Sequence, residues 1–163
     1  MKKEDSILVD MNGLIYLAQL SLLEQFFKEY SEVFTSDFVR LQEMQSPSWD
    51  VCKKLGLQVL EMSPVEVGLS ANLMQEHKKL SFIDAGLIVL SRGRDIPILT
   101  EDAAMQRELV RGKAAFVTLP DVVSRMEISG LISSAEAEQC FILLRDVLLK
   151  KRYDYAEYLE KYR

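Results

Sequence analysis

The chain has 163 residues, of which 48% are hydrophobic and 28% are charged. This length and composition are typical of one globular domain and exclude an intrinsically disordered chain. The net charge of −5 excludes a protein that holds nucleic acid chiefly through an overall positive charge.

The N-terminal sequence favours a cytoplasmic protein that does not enter a membrane. It reads MKKEDSILVDMNG, in which acidic residues follow the lysines and no apolar core of a signal peptide is present. The most apolar segment, Leu14–Phe27, contains polar residues and is too short to span a bilayer. Cys52 and Cys140 stand far apart, without the spacing of a zinc site. We therefore expect two buried or free thiols.

Short apolar runs bounded by turn or capping residues predict five strands. They are Ser6–Asp10, Glu32–Thr35, Leu57–Met62, Ile96–Leu99 and Ala114–Thr118. Segments with helical spacing lie between them. Strands that alternate with helices indicate a parallel sheet with helices on both faces. The predicted fold is therefore an α/β protein, a three-layer α/β/α sandwich with a central, mainly parallel five-stranded sheet.

Apolar spacing and capping residues predict the helices. They are Leu14–Tyr30, a helix from Ser36 or Asp37 to Met44, Trp49–Leu55, Ser63–Lys78, a helix that begins at Ser81–Asp84, Asp102–Arg111, a helix from Pro120 to Gly130, Ala135–Arg152 and Tyr155–Tyr162. Gly130 is the candidate boundary. We predict a main domain at residues 1–130 and a helical C-terminal extension at 131–163, packed on or appended to that domain.

Four acidic residues fall near strand ends or helix starts. Asp10 ends the first strand, Glu43 lies about two turns into the helix after the second, Asp84 opens the helix before the fourth, and Asp102 follows the fourth. If the first and fourth strands are neighbours, Asp10 and Asp102 emerge side by side at the carboxyl edge. Converging carboxylates need a counter-charge, and Mg²⁺ or Mn²⁺ prefers oxygen ligands. Such a site can activate water for phosphodiester hydrolysis.

Each acid also has a purely structural explanation. Asp10 and Asp102 could cap the helices that follow them, and Ser81-x-x-Asp84 fits a capping box. Glu43 could be a solvated helix residue. The shared register of all four acids with the strand–helix units favours a joint site.

Four segments resemble, in order, the motifs of PIN-domain ribonucleases, which include the toxin-like VapC-type proteins of prokaryotes. ILVDMNGLIYL resembles the first motif, a strand followed by Asp-x-Asn, and VFTSDFVRLQE resembles the second, a strand and Thr-Ser before a helix that carries Glu. LSFIDAGLIVLS resembles the third, with Asp in the first helical turn, and IPILTEDAAMQRE the fourth, a strand followed by Thr-x-Asp. The resemblance covers roughly residues 6–125.

The resemblance implies a PIN-like, Rossmann-like fold and a divalent-metal-dependent endoribonuclease that cleaves RNA. The catalytic and metal-binding roles would fall on Asp10, Glu43, Asp84 and Asp102, with Mg²⁺ or Mn²⁺ as the cofactor. Asn12 and Thr100 would hold or orient the carboxylates. Many small bacterial members are toxins that pair with an antitoxin and dimerise. An antitoxin protein and a homodimer are therefore possible partners besides RNA, and the broad apolar face of Leu14–Phe27 is compatible with a dimer or with core burial.

Basic residues near the predicted site are candidates for contacts with RNA phosphates. They are Arg40, Lys78, Lys79, Arg92, Arg94, Arg107 and Arg111. Arg107, Arg111 and Arg40 are the principal ones, and Arg107 lies on the helix that Asp102 begins. His77 is expected to be an ordinary polar residue.

Two other functions stay open on the sequence. The run VDMNGLI resembles the opening Asp-x-Asp-Gly-Thr loop of haloacid-dehalogenase-type phosphatases, but Asn12 replaces the second Asp and Leu14 replaces the Thr. The acidic balance and the C-terminal extension are compatible with a non-catalytic binding module on the PIN fold.

Overall fold

The computed structural model describes residues 6–163, in which five strands form one sheet in the order β3-β2-β1-β4-β5. The strands are β1 (Ser6–Val9), β2 (Glu32–Ser36), β3 (Leu57–Leu60), β4 (Ile98–Leu99) and β5 (Phe116–Val117). Every pairing between neighbouring strands is parallel. The predicted five-stranded α/β fold is confirmed, with a wholly parallel sheet.

Helices precede and follow the strands along the described chain. They are α1 (Met11–Gln19), α2 (Leu23–Glu29), α3 (Asp37–Gln42), α4 (Trp49–Leu55), α5 (Pro64–Glu76), α6 (Phe82–Arg94), α7 (Ala103–Arg111), α8 (Leu119–Ile128), α9 (Ser134–Leu143) and α10 (Tyr155–Leu159). A π-helical turn, Leu144–Leu148, continues α9, and a 3-10 turn, Glu160–Tyr162, follows α10.

The strand order places helices on both faces of the sheet. The chain runs from β1 outward through β2 to β3, and then returns past β1 to β4 and β5. Because crossovers between parallel strands are right-handed, the reversal moves the connecting helices to the opposite face. Accordingly, α6 packs against α5 and α7, whereas α2 packs against α8.

The hydrophobic core lies along the central strands, because helices cover both faces of the sheet there and exclude water. Every residue of β1 and β4 is buried. A parallel strand covered on both sides needs a continuous apolar run, and Ile7-Leu8-Val9 and Ile98-Leu99 provide it. Cys52 and Cys140 are buried free thiols, and burial raises the pKa of each to about 11.

Several boundaries differ from the predicted ones for local reasons. The predicted helix Leu14–Tyr30 is two helices, because Ser21 adopts a left-handed conformation with φ 58°. The predicted helix Ala135–Arg152 ends earlier, and the Leu149 N–H donates to the Leu144 carbonyl in the π-helical turn. Pro97 has no N–H for the sheet, and β4 begins one residue later.

The C-terminal helices contribute to the same hydrophobic core. Phe141, Leu144 and Tyr155 are buried in it. The division at Gly130 stays a prediction. Residues 1–5, on which the expectation about a signal peptide partly depends, lie outside the described residues. Among residues 6–163, none of the helices combines the length and the hydrophobicity needed to cross a bilayer.

Candidate functional site

The carboxyl ends of β1 and β4 flank the point where the strand order reverses. β1 pairs with β4, with Leu8 opposite Ile98 and Val9 opposite Leu99. Consequently Asp10 and Thr100, the next residues on each strand, leave the sheet side by side. In open parallel sheets, ligands bind in the crevice at such a switch point. The first and fourth strands are therefore neighbours, as expected.

Asp10 is both a helix cap and a buried acid at this crevice. It is the N-cap of α1, and its Oδ1 accepts a hydrogen bond of 2.6 Å from the Gly13 N–H. A Cβ on residue 13 would lie 3.1 Å from Oδ1 and 3.3 Å from the Leu99 side chain. Glycine therefore allows the close approach of the α1 backbone to the carboxylate. The capping explanation and the site explanation both apply to Asp10.

The connection from β4 to α7 holds Asp102 in a tight turn. The Thr100 hydroxyl is buried and accepts a hydrogen bond of 3.1 Å from the Asp102 N–H. Asp102 is the exposed N-cap of α7, and its Oδ1 accepts a 2.8 Å hydrogen bond from the Met105 N–H. Gln106 Nε2 donates to the Thr100 carbonyl at 2.8 Å. Thr100 thus orients the backbone of Asp102 rather than contacting its carboxylate.

Asp84 and Glu43 approach from the two layers of helices. Asp84 is half-buried in the first turn of α6, and its N–H donates to the Ser81 hydroxyl that caps this helix. Glu43 is exposed and is the C-cap of α3, because this helix ends at Gln42. The predicted helix, which ended at Met44, is therefore two residues too long, and Glu43 lies one residue beyond its observed end, although its place after β2 is as expected.

The charges of these acids affect one another. Burial raises the pKa of Asp10 to about 7; the Gly13 hydrogen bond opposes this rise, and the charges of Asp84, Glu43 and Asp102 add to it. Desolvation and the charge of Asp84 raise the pKa of Glu43. Burial, together with the charge of Asp102, raises the pKa of Asp84. The structure thus brings the four acids within electrostatic range of one another.

The chemistry of this donor set suits a hard divalent cation, since all four side chains offer carboxylate oxygens. No ion pair within residues 6–163 neutralises any of them. In the same part of the chain, however, no three acid, histidine or cysteine side chains are gathered closely enough to hold a metal ion. The charges therefore suit a metal ion, but the side chains do not lie close enough together to coordinate one.

The other predicted site residues occupy varied positions. Asn12 is exposed in the first turn of α1 and, within residues 6–163, has no side-chain hydrogen bond to the acids. The Arg40 Cζ lies 4.4 Å from the centre of the Trp49 ring, and the Arg111 guanidinium donates hydrogen bonds to the Glu108 carboxylate. Arg107 is exposed on α7. Of the three principal arginines, only Arg107 is without a close partner in the described residues.

Two residues that support the crevice are absent from the sequence prediction. The buried Thr35 hydroxyl donates a 2.8 Å hydrogen bond to the Val9 carbonyl, directly before Asp10. Glu101, between Thr100 and Asp102, accepts hydrogen bonds from the Leu119 N–H at 2.6 Å and from the Tyr153 hydroxyl at 2.5 Å. The VFTS run indicates the place of Thr35, but the partners of Glu101 are distant in sequence and leave no local pattern.

The fold and the crevice define a class of protein, an open parallel α/β domain with an acidic switch point. In comparisons with known proteins, no family model matches the chain and no curated protein is significantly similar to it.

Proposed function

We propose that this protein is a divalent-metal-dependent endoribonuclease that hydrolyses RNA phosphodiester bonds with Mg²⁺ or Mn²⁺. One observation carries the proposal: four carboxylates without a cationic partner in the described chain lie within electrostatic range of one another at the switch point of the sheet. Unpaired acids raise one another's pKa and cost stability. Helix capping accounts for Asp10 and Asp102 but gives no reason for Asp84 and Glu43 to lie near them. A bound divalent cation gives such a reason, and it would in turn attract an anionic substrate.

The four acids have distinct places in this mechanism. Asp10, Asp84 and Asp102 supply the oxygens that would hold the ion. Glu43, which is exposed, would bind or position a second ion or the attacking water. Bound Mg²⁺ or Mn²⁺ would activate water and offset the negative charge that develops on the phosphate. Thr100 fixes the backbone of Asp102 through the Asp102 N–H.

Substitution Asp84→Asn tests the proposal. It removes one of the charges at the crevice and retains the shape of the side chain. We expect the wild type to cleave single-stranded RNA with Mn²⁺ and to stop when a chelator is added, and the variant to lose about a hundredfold or more in rate. The measurement is the appearance of fragments from an end-labelled RNA.

Asp146→Asn is the matched control, because Asp146 is an exposed acid bonded to Arg145. This variant should cleave at the wild-type rate. If Asp84→Asn cleaves as fast as the wild type, or if cleavage continues in excess chelator, the assignment is wrong.

A second candidate function is a non-catalytic binding module on the same fold. It is favoured by the finding that no three acid, histidine or cysteine side chains of residues 6–163 form a ready metal site. On this alternative, wild-type protein binds no Mn²⁺ in calorimetry and cleaves no RNA. Mn²⁺ binding that Asp84→Asn weakens would exclude it.

A toxin role, an antitoxin partner and a homodimer stay further proposals. The apolar face of Leu14–Phe27 gives them no added support, because Leu14, Leu17 and Phe26 are buried in the chain's own core. Light scattering of the purified protein, alone and with the product of any small adjacent reading frame, tests both partnerships.

A further inference from the structure

A cleft of about 390 Å³ lies between the connection from α5 to α6 and helix α7. We name it the basic cleft. Four basic residues line it, Lys78, Lys79, Arg107 and Arg111, together with two acidic ones, Glu76 and Glu108. With four positive and two negative charges the lining is net positive, in a protein whose net charge is −5. Positive charge is therefore concentrated at one place on an acidic molecule.

A buried acid fixes one wall of the basic cleft. The Glu108 side chain is 4% exposed and accepts hydrogen bonds from Arg111 at 2.8 and 3.0 Å and from Arg92 at 3.0 Å. His77 Nε2 lies 3.2 Å from Glu108 Oε2 and 2.7 Å from Arg111 Nη2. Burial would raise the pKa of Glu108, but the hydrogen bonds from Arg111 and Arg92 outweigh it and lower the pKa. The wall is thus an ordered network whose arginines are already engaged.

The rim of the basic cleft differs from this wall. Lys78, Lys79 and Arg107 are exposed, and no ion pair or side-chain hydrogen bond to another described residue engages them. Three unpaired cations so close together repel one another, and an anion would relieve this repulsion. The rim, rather than Arg111, is therefore the part that is free to bind a ligand.

The basic cleft adjoins the acidic crevice through two helices. Lys79 stands two residues before Ser81, the cap of α6, whose first turn carries Asp84. Asp102 caps α7, and Arg107 lies five residues further along, about 7 Å on the helix axis. The rim residues of the basic cleft and the acids Asp84 and Asp102 thus belong to the same two segments, the start of α6 and helix α7.

We propose that the basic cleft binds a backbone phosphate of the same RNA strand that lies in the acidic crevice. This inference rests on the proposed function and adds a second contact point for its substrate. The charge of the rim is complementary to a phosphodiester, and lysine and arginine are the usual partners of backbone phosphates. The acidic crevice alone repels a polyanion, so a cationic site beside it is needed to hold the strand.

The lining indicates recognition of phosphate rather than of a base. Leu80 and Ala104 are apolar residues of the cleft, and among the described residues that line it there is no phenylalanine, tyrosine or tryptophan. The one aromatic ring in that lining, the imidazole of His77, contacts Arg111 and Glu108. Stacking on aromatic rings is the usual way to hold an unpaired base. The basic cleft therefore contributes affinity without sequence preference.

Binding in the absence of metal tests the inference separately from catalysis. The probe is a fluorescein-labelled single-stranded RNA, and its anisotropy is measured in chelator over a range of salt concentrations. Substitutions Lys79→Gln and Arg107→Gln together should weaken binding about tenfold and reduce the slope of log K against log salt by about 0.7 for each phosphate that the protein no longer neutralises. Lys79→Arg, which keeps the charge, should bind as the wild type does.

The matched control is Lys53→Gln with Lys54→Gln, two exposed lysines in the last turn of α4. These changes remove the same charge far from the crevice and should leave RNA affinity within about twofold of the wild type. If the cleft variant and the control variant bind equally well, the basic cleft is not a phosphate site, whatever the cleavage rate. If only the cleft variant loses affinity, while wild-type protein with Mn²⁺ cleaves nothing, the cleft inference holds and the nuclease proposal fails.

Discussion

At the residue scale, Asp10 combines two roles with opposite effects on stability. Its hydrogen bond with the Gly13 N–H begins α1 and stabilises the fold. Its buried charge, surrounded by three other acids, destabilises the ionised form and raises the pKa of Asp10 to about 7. Near neutral pH, the metal-free protein therefore bears the cost of a charge that it does not need for folding.

Substitution Asp10→Asn should stabilise the metal-free protein at alkaline pH. The folded state of the wild type holds the Asp10 proton more tightly than the unfolded chain does. Its stability therefore falls as the pH rises from the ordinary pKa of 3.8 to about 7, and is level above that. The asparagine removes this dependence and can still accept the Gly13 hydrogen bond. The resulting gain in the free energy of unfolding is at most roughly 4 kcal/mol.

Urea unfolding in chelator at about pH 5 and pH 8 measures this difference. The advantage of the variant should be small at the lower pH and should grow toward the higher one. A variant that is less stable than the wild type at both pH values would show that the cap needs the carboxylate charge. Asp146→Asn, which alters an exposed acid, should show no comparable pH-dependent gain.

At the scale of the elements, hydrogen bonds from the C-terminal residues Arg152 and Tyr153 stabilise the connection between β4 and α7. The Tyr153 hydroxyl donates to Glu101, and the Arg152 guanidinium donates to Gln106, which in turn donates to the Thr100 carbonyl. Glu101 also accepts the Leu119 N–H at the start of α8. Three segments thus meet around the two residues that precede Asp102.

Substitution Tyr153→Phe removes one of these contacts with little change in volume. The Glu101 side chain is 7% exposed, so its oxygen loses a partner that water does not readily replace. We expect a loss of about 1–3 kcal/mol in the free energy of unfolding. We also expect RNA cleavage to slow about tenfold at unchanged RNA affinity, because Asp102 is less well positioned.

Tyr158→Phe is the control in the same C-terminal segment. Tyr158 stacks on Phe141, and its hydroxyl has no hydrogen bond to another described residue. This variant should differ from the wild type by less than about 0.5 kcal/mol. Equal stability and equal cleavage rates for Tyr153→Phe and Tyr158→Phe would show that the hydrogen bond from Tyr153 to Glu101 does not influence the crevice.

The sequence predicted those elements whose determinants are local. Short aliphatic runs indicated the strands, and serine caps such as Ser63 and Ser81 indicated where helices begin. Asp10 and Asp102 could be placed at one edge because parallel strands share a direction. The break at Ser21 was missed, since a left-handed serine carries none of the signal that a glycine would give.

Features that depend on distant contacts could not be predicted. His77 is an ordinary polar residue in the sequence, and its neighbours Glu108 and Arg111 lie about 30 residues away. Glu101 is held by hydrogen bonds from the Leu119 N–H and the Tyr153 hydroxyl, and both residues are distant in sequence. That Asp10 and Asp102 follow neighbouring strands at one edge could be inferred from the topology. The separation of the four acids depends on packing, which the strand and helix pattern does not determine.

At the scale of the whole molecule, acidic residues gather at one edge of the sheet. The strand order brings Asp10 and Asp102 together, and the helix starts add Asp84 nearby. Like charges at one place oppose folding, whereas a cation that binds only the folded protein favours it. The stability of the molecule should therefore depend on divalent metal even in the absence of RNA.

Thermal unfolding with and without Mn²⁺ measures this coupling. A ligand present at about 100 times its dissociation constant stabilises a protein by about 2.7 kcal/mol, which corresponds to roughly 5–10 °C for a chain of this size. The wild type should gain such a shift, and Asp10→Asn should gain much less, because it lacks a carboxylate of the site. The stability advantage that Asp10→Asn has in chelator at alkaline pH should then become smaller. A wild-type melting temperature that stays constant up to millimolar Mn²⁺ would contradict a metal site and favour the non-catalytic module.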